Sequence, residues 1–256
     1  MLLTIDVGNT NIAMGAFDGE ELRFVARLAT ERARTEDQYA VELKSIFALN
    51  AVDPSELDSS VLGSVVPELT AALCGAVQRL TGTRPLVLSP GVRTGLNIRT
   101  DNPAEVGADL VAGAVGAVAR YEMPCLVLDL GTATKISVLD KDGAFQGCTI
   151  SPGVSISLEA LSARTSQLPS ISFKTPACVI GRNTVDSMQS GTVFGVSSML
   201  DGMCDKIEAE LGEPVRTVVA TGGLSGNIVK SCRRNVLIDP NLVLAGLRLI
   251  YLKNRK

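Results

Sequence analysis

The chain has 256 residues, 46% of them apolar, a formal net charge of −3, and neither histidine nor tryptophan. That length fits one large domain or two small ones, with ample material for a core. The missing histidines exclude imidazole base catalysis, Ser-His-Asp triads and His-ligated zinc. Slight acidity and few aromatics argue against a polyanion or base-stacking surface, and hence against a nucleic-acid partner.

In chain order, residues 2–7 and 11–17 read as a hairpin around Asp6-Val7-Gly8-Asn9-Thr10-Asn11, and 22–28 as a third strand. Tyr39, Leu43, Ile46 and Phe47 share one face of a helix over 35–49. A strand over 60–66, a helix over 68–80 and a strand over 85–88 follow, and this alternation predicts an α/β fold. After an extended linker, 94–100, Asn102, Pro103 and Glu105 read as N-cap, N1 and N3 of a helix running to Tyr121. Strand 126–130 opens the second half, followed by a hairpin over 135–145 and the turn Ser151-Pro152-Gly153 into a helix over 155–163. Residues 183–210 predict a long helix, with a break allowed near Gly195. Strand 215–220, the turn Thr221-Gly222-Gly223 and a helix over 242–251 close the chain, and the basic residues 253–256 read as a solvated end.

The six cysteines, Cys74, Cys125, Cys148, Cys178, Cys204 and Cys232, form no CxxC pair and read as reduced thiols. The first residues lack the basic lead of a signal peptide, and the longest apolar stretch, 110–119, is too short to span a bilayer. A soluble, cytoplasmic protein with no membrane partner is therefore expected.

Two turns carry the chemistry. Asp6-Val7-Gly8-Asn9-Thr10-Asn11 recurs in kind as Asp129-Leu130-Gly131-Thr132-Ala133-Thr134, each after an apolar strand and before a second strand ending in Asp-Gly. Such repetition predicts two similar halves, 1–119 and 120–256, facing one cleft. Aspartate ending an apolar strand needs water, a hydrogen bond or a cation. Glycine lets a ligand approach the backbone, and Asn and Thr add donors for phosphate. A single copy is ordinary hairpin chemistry; two matched copies and a later Thr-Gly-Gly favour a nucleotide. With no GxxxxGK[ST] and no GxGxxG, an ATP site here is of the split two-domain kind.

Asp109 lies on or beside the Val106, Leu110, Gly113, Ala117 stripe of its helix. It reads either as a general base for a hydroxyl or as a carboxylate bonding a nearby loop. Gly222 and Gly223 admit an adenine ring or make a plain strand-to-helix turn. Arg182-Asn183-Thr184 reads as a substrate clamp or, more simply, as helix capping.

DVGNTN at 6–11, SVVP at 64–67, TGL at 94–96, DNPAEVGAD at 101–109, DLGTAT at 129–134, SPG at 151–153, GRNTVDSMQSG at 181–191 and ATGG at 220–223 together resemble the type III pantothenate kinases. These belong to the acetate kinase/Hsp70/actin-like superfamily. The resemblance covers nearly the whole chain and implies two duplicated ribonuclease-H-like (actin-like ATPase) domains around a central cleft. It implies ATP-dependent phosphorylation of pantothenate to 4'-phosphopantothenate, the first step of coenzyme A biosynthesis, by a homodimer whose substrate pocket the partner subunit closes. It implies that Asp6, Val7, Gly8, Asn9, Thr10, Asn11, Thr132, Gly222 and Gly223 bind ATP, with Asp6 directed to Mg²⁺ through water. Asp109 is implied as the base, Asp129 as a ligand of K⁺ or NH₄⁺, and Thr100, Gly107, Ala108, Asp109, Leu110 and Thr184 as the pantothenate pocket.

The chain departs from that pattern in its pocket. Leu110 stands where the family carries an arginine for the pantothenate carboxylate, and Thr100 where a tyrosine is common; Cys148 replaces a glycine. A lost buried charge-assisted contact is worth about 2–5 kcal/mol. Arg99, Arg164 and Lys174 are candidate replacement cations. Leu110 therefore keeps two alternatives open: a kinase for a related small alcohol, or a noncatalytic nucleotide-binding paralogue.

Overall fold

The computed structural model describes residues 1–255; Lys256, the last of the basic end, lies outside them. The chain divides into two compact units. One holds residues 1–96, 101–119 and those from Leu242 onward, and the other holds 97–100 and 120–241.

The first unit opens with strands β1 (Leu2–Val7), β2 (Asn11–Asp18) and β3 (Glu21–Ala29). Helix α1 (Glu36–Leu49), strand β4 (Ser59–Ser64), helix α2 (Pro67–Thr81), strand β5 (Leu86–Val87) and helix α3 (Ala108–Arg120) follow. Thr35 and Gln38 close a capping box on α1. Pro67 sits in the first turn of α2, and Gly82, at φ 76°, ends it. The strands order β3-β2-β1-β4-β5, with β1 antiparallel to β2 and parallel to β4. Leu3, Ile5 and Val7 alternate onto one face, where they pack with Tyr39, Leu43 and Phe47 of α1 and Leu69 and Leu73 of α2.

The helix predicted from Pro103 to Tyr121 begins later. Residues 103–105 make a 3₁₀ turn, Val106 is extended (φ −68°, ψ 121°), and α3 starts at Ala108. The Asn102 amide donates to Glu105 Oε1 (2.6 Å) instead of capping. Gly107, a poor helix former, stands at the break. Asp109 consequently lies in the first turn of α3, where the helix dipole favours a carboxylate, and not in mid-helix.

The second unit contains β6 (Cys125–Leu130), β7 (Ala133–Leu139), β8 (Phe145–Pro152), α4 (Val154–Arg164), α5 (Thr184–Leu211), β9 (Thr217–Thr221), α6 (Ser225–Ile228) and β10 (Leu237–Ile238). Its sheet orders β10-β9-β6-β7-β8. Here β6 takes the place of β1, β7 of β2, β8 of β3, β9 of β4 and β10 of β5. The directions match too: β6 is antiparallel to β7 and parallel to β9. The repeat seen in two turns is thus a repeat of whole sheets. Helix α5 runs unbroken through exposed Gly195, capped by Asn183 and by Gly212 at φ 74°.

Helix α7 (Leu242–Asn254) returns to the first unit. A division at 119/120 assigns it to the second half. Its buried residues Leu242, Leu244, Leu247 and Ile250 belong instead to a helix that lies against β1, β2 and β4. Among the described residues no helix is long and apolar enough to cross a membrane.

Candidate active site

The first turn is tied at both ends. Gly8 N–H donates to Asn11 O (3.0 Å), Thr30 N–H to Thr10 O (2.9 Å) and Thr30 Oγ1 to Gly8 O (2.7 Å). The Arg32 guanidinium donates to Asn9 Oδ1 and to Glu68 Oε1, both at 3.0 Å. Thr30 and Arg32 follow β3 and meet the turn only because β2 and β3 pair, so sequence reading misses them. In register, Asp6 faces Ala13 on β2 and Gly63 on β4.

Gly63 brings in α3: a Cβ there would stand 3.6 Å from the Ala108 Cβ. Gly107 lies against Val65, whose N–H donates to Val7 O (3.0 Å). Residues 107–110 therefore sit at the carboxyl ends of β1 and β4, beside Asp6, where open α/β sheets bind ligands. Asp109 is half-buried, and its Oδ1 accepts Leu110 N–H (2.8 Å). The structure thus brings Asp6–Asn11 and Gly107–Leu110 together in one unit.

A second cluster forms in the other unit. Asp129 pairs in register with Lys135 on β7 and Thr221 on β9. Lys135 Nζ stands 2.8 Å from Asp129 Oδ2. A Cβ on Gly153 would overlap the carbonyls of Gly131 and Thr132, so only glycine lets the start of α4 close on this turn. Gly222, at φ 92°, meets the backbone of Leu130, its added Cβ falling 2.5 Å from that carbonyl. Asp129, Thr132, Gly222 and, next to it, Gly223 are thus neighbours.

Thr100 and Thr184 lie elsewhere in that unit. Thr100 follows Arg99, whose N–H donates to Phe145 O (2.8 Å), and its buried Oγ1 makes no hydrogen bond among the described residues. Arg99 is paired with Asp140 (3.2 Å). Thr184 opens α5 and lines a cavity of about 570 Å³ with Leu168, Arg182, Asn183 and Ser187. Asn183 Oδ1 accepts Asp186 N–H (2.9 Å), the capping role expected of it. Arg182 also lines a larger adjoining cavity, about 990 Å³, together with Lys174.

Three of the thiols in this unit are poor nucleophiles at neutral pH. Burial pushes Cys125, at the foot of β6, up to about 12, and Cys204 and Cys232 to about 11.

A family model described as type III pantothenate kinase matches residues 2–206. The chain belongs to the type III pantothenate kinase family. A member from Exiguobacterium sp. is 43% identical over 256 residues, covering all of both chains. One from Myxococcus xanthus is 44% identical over 254 residues, 99% of each. Among solved structures, the activator of 2-hydroxyisocaproyl-CoA dehydratase from Clostridium difficile, with bound ADPNP, superposes with a TM-score of 0.60 at 11% identity, covering 100% of this chain and 98% of that one. Component A of the Acidaminococcus fermentans (R)-2-hydroxyglutaryl-CoA dehydratase gives 0.61 at 14%, covering 99% of each. These two likenesses concern fold alone, and with the matched sheets they give an α/β fold of two duplicated ribonuclease-H-like domains.

Asp6, at the end of β1, offers the carboxylate oxygens that suit an Mg²⁺ arriving on nucleotide phosphates. Asp129 does not fit the monovalent cation implied by the family pattern, because an ammonium group already occupies its carboxylate.

Proposed function

We propose that this pantothenate kinase homologue transfers the γ-phosphoryl group of Mg-ATP to the hydroxyl of pantothenate, giving 4'-phosphopantothenate at the head of coenzyme A biosynthesis. The observation that carries this reading is the seating of the first turn of α3, which holds Asp109, with its Ala108 against Gly63, whose strand partner is Asp6. Base and phosphate turn then belong to one site.

Asp109 accepts the proton of the attacking hydroxyl. Asp6 faces Mg²⁺ through water, and Val7, Gly8, Asn9, Thr10 and Asn11 hold the phosphates. Thr132, Gly222 and Gly223 contact the rest of ATP. Phosphoryl transfer asks for alignment and charge neutralisation more than covalent help from the protein. Gly107, Ala108 and Leu110 line the pantothenate side with Thr100, whose unpaired Oγ1 is ready for a polar ligand, and Thr184. Leu110 cannot pair with a carboxylate and Arg99 is committed to Asp140. Arg182, which shares a cavity with Thr184, receives the carboxylate. The enzyme acts in the cytoplasm, where its ATP is, as a homodimer, for which exposed Val179 and Ile180 supply apolar surface.

The test is phosphorylation of pantothenate by the purified chain with Mg-ATP. Asp109→Asn should lower kcat by about 10²–10⁴, the range for a lost general base, while Mg-ATP binding stays intact. Full activity in that variant, or no turnover of pantothenate by the wild type, would remove the reading.

A further inference from the structure

The two repeats match strand for strand yet differ in one chemical respect. Directly opposite Asp6 across its hairpin is Ala13; directly opposite Asp129 is Lys135. Facing residues of an antiparallel pair hold their Cβ atoms about 4.5–5.5 Å apart, so a lysine there folds back onto the acid with little freedom to leave. Its ammonium stands 2.8 Å from Oδ2, with the side chains of Lys135 and Asp129 only 15% and 23% exposed. An ion pair so enclosed is weakly screened by salt. A K⁺ or NH₄⁺ ion on the same carboxylate would face a like charge at contact distance in a half-buried setting, where repulsion is strong.

We infer that Lys135 Nζ is this enzyme's built-in monovalent cation, standing beside the Thr132 turn in place of K⁺ or NH₄⁺. An alkylammonium carries the same unit charge as NH₄⁺ and three of its donors. Tethered to β7, it has no binding equilibrium to satisfy. The kinase therefore runs without K⁺, and removing the lysine creates an ion requirement. This rests on the Mg-ATP reading of the second turn.

The experiment compares wild type, Lys135→Met and Lys135→Gln in sodium-only buffer, titrated with K⁺ and with NH₄⁺. Two readouts are followed: pantothenate phosphorylation and thermal denaturation. Wild-type rate and Tm should stay within twofold and unshifted, respectively. The variants should lose about tenfold in kcat/KM for ATP, the size of one charge-assisted contact. They should recover most of it with K⁺ or NH₄⁺, and these ions should raise their Tm and not the wild type's. Severalfold stimulation of the wild type by K⁺, or variants that no added ion rescues, overturns the inference. If the wild type turns over no pantothenate in any salt, the proposed function fails, and the Tm titration still decides the role of Lys135. The Gln variant keeps a polar hydrogen-bonding group at the position should the Met variant not fold.

Discussion

Leu110 is where this chain departs from the family pattern it resembles, on the proposed substrate side. It follows Asp109 in the first turn of α3, and its N–H holds the aspartate's Oδ1, so the backbone of the site is intact while the side chain offers only hydrocarbon. An arginine there would add a charge-assisted contact to a carboxylate. Leu110→Arg should lower the KM for pantothenate about tenfold or more and leave the KM for ATP unchanged. Arg182→Ala should raise the pantothenate KM by a similar factor. Steady-state kinetics with each substrate varied in turn decides this. Equal KM values in all three proteins would mean that neither position meets the carboxylate.

At the scale of elements, two glycines make helix contacts that no other residue allows. Gly246 of α7 lies on α3 so closely that an added Cβ would overlap the Ala112 carbonyl. Gly116 of α3 meets Leu242, with 2.6 Å between an added Cβ and the leucine carbonyl. Because both clashes are with backbone, a side-chain rotation cannot relieve them. Gly246→Ala gains helix propensity of about 1 kcal/mol, against an overpacking cost of about 1–3 kcal/mol or more. The net should be destabilisation, read as a lower urea midpoint. It should also raise the ATP KM, because α3 carries Asp109 and its first turn sits beside Asp6. Gly195→Ala in α5, where an added Cβ meets nothing within 4 Å, is the control and should be neutral or stabilising.

At the scale of the whole molecule, the last helix completes the first unit. Leu242, Leu244, Leu247 and Ile250 are all buried, and each such side chain contributes about 1.5–3 kcal/mol on burial. Their sum is comparable to the roughly 5–15 kcal/mol that holds a domain folded. A chain ending at Asn241 should lose amide-exchange protection in β1, β2 and β4 and keep it in β6, β7 and β9, whose core draws on α4 and α5. Protection retained throughout β1 would show that α7 is an accessory and not part of the core.

Much of this was legible from residue order. Apolar alternation located β1, β2, β6 and β7, the apolar face of 35–49 and the capping pattern at Asn183 located two helices, and Asp6, Asp109 and Asp129 stood out as acids at strand or helix ends. Those features are local, written within one turn or one strand of the chain, and so sequence alone determined the α/β class and the duplication, and it singled out the three acids as candidates. The rest depends on residues far apart in the chain meeting in space. Pairing of β2 with β3 delivers Thr30 and Arg32 to the first turn. Gly63 admits α3 beside Asp6, and the apolar face of α7 finds the first sheet across more than half the chain. Strand register places Lys135 opposite Asp129, where a slip of one residue would turn the lysine to the other face. Tertiary structure alone decided that one aspartate faces an alanine and its counterpart an ammonium, because register and packing are properties of the folded whole.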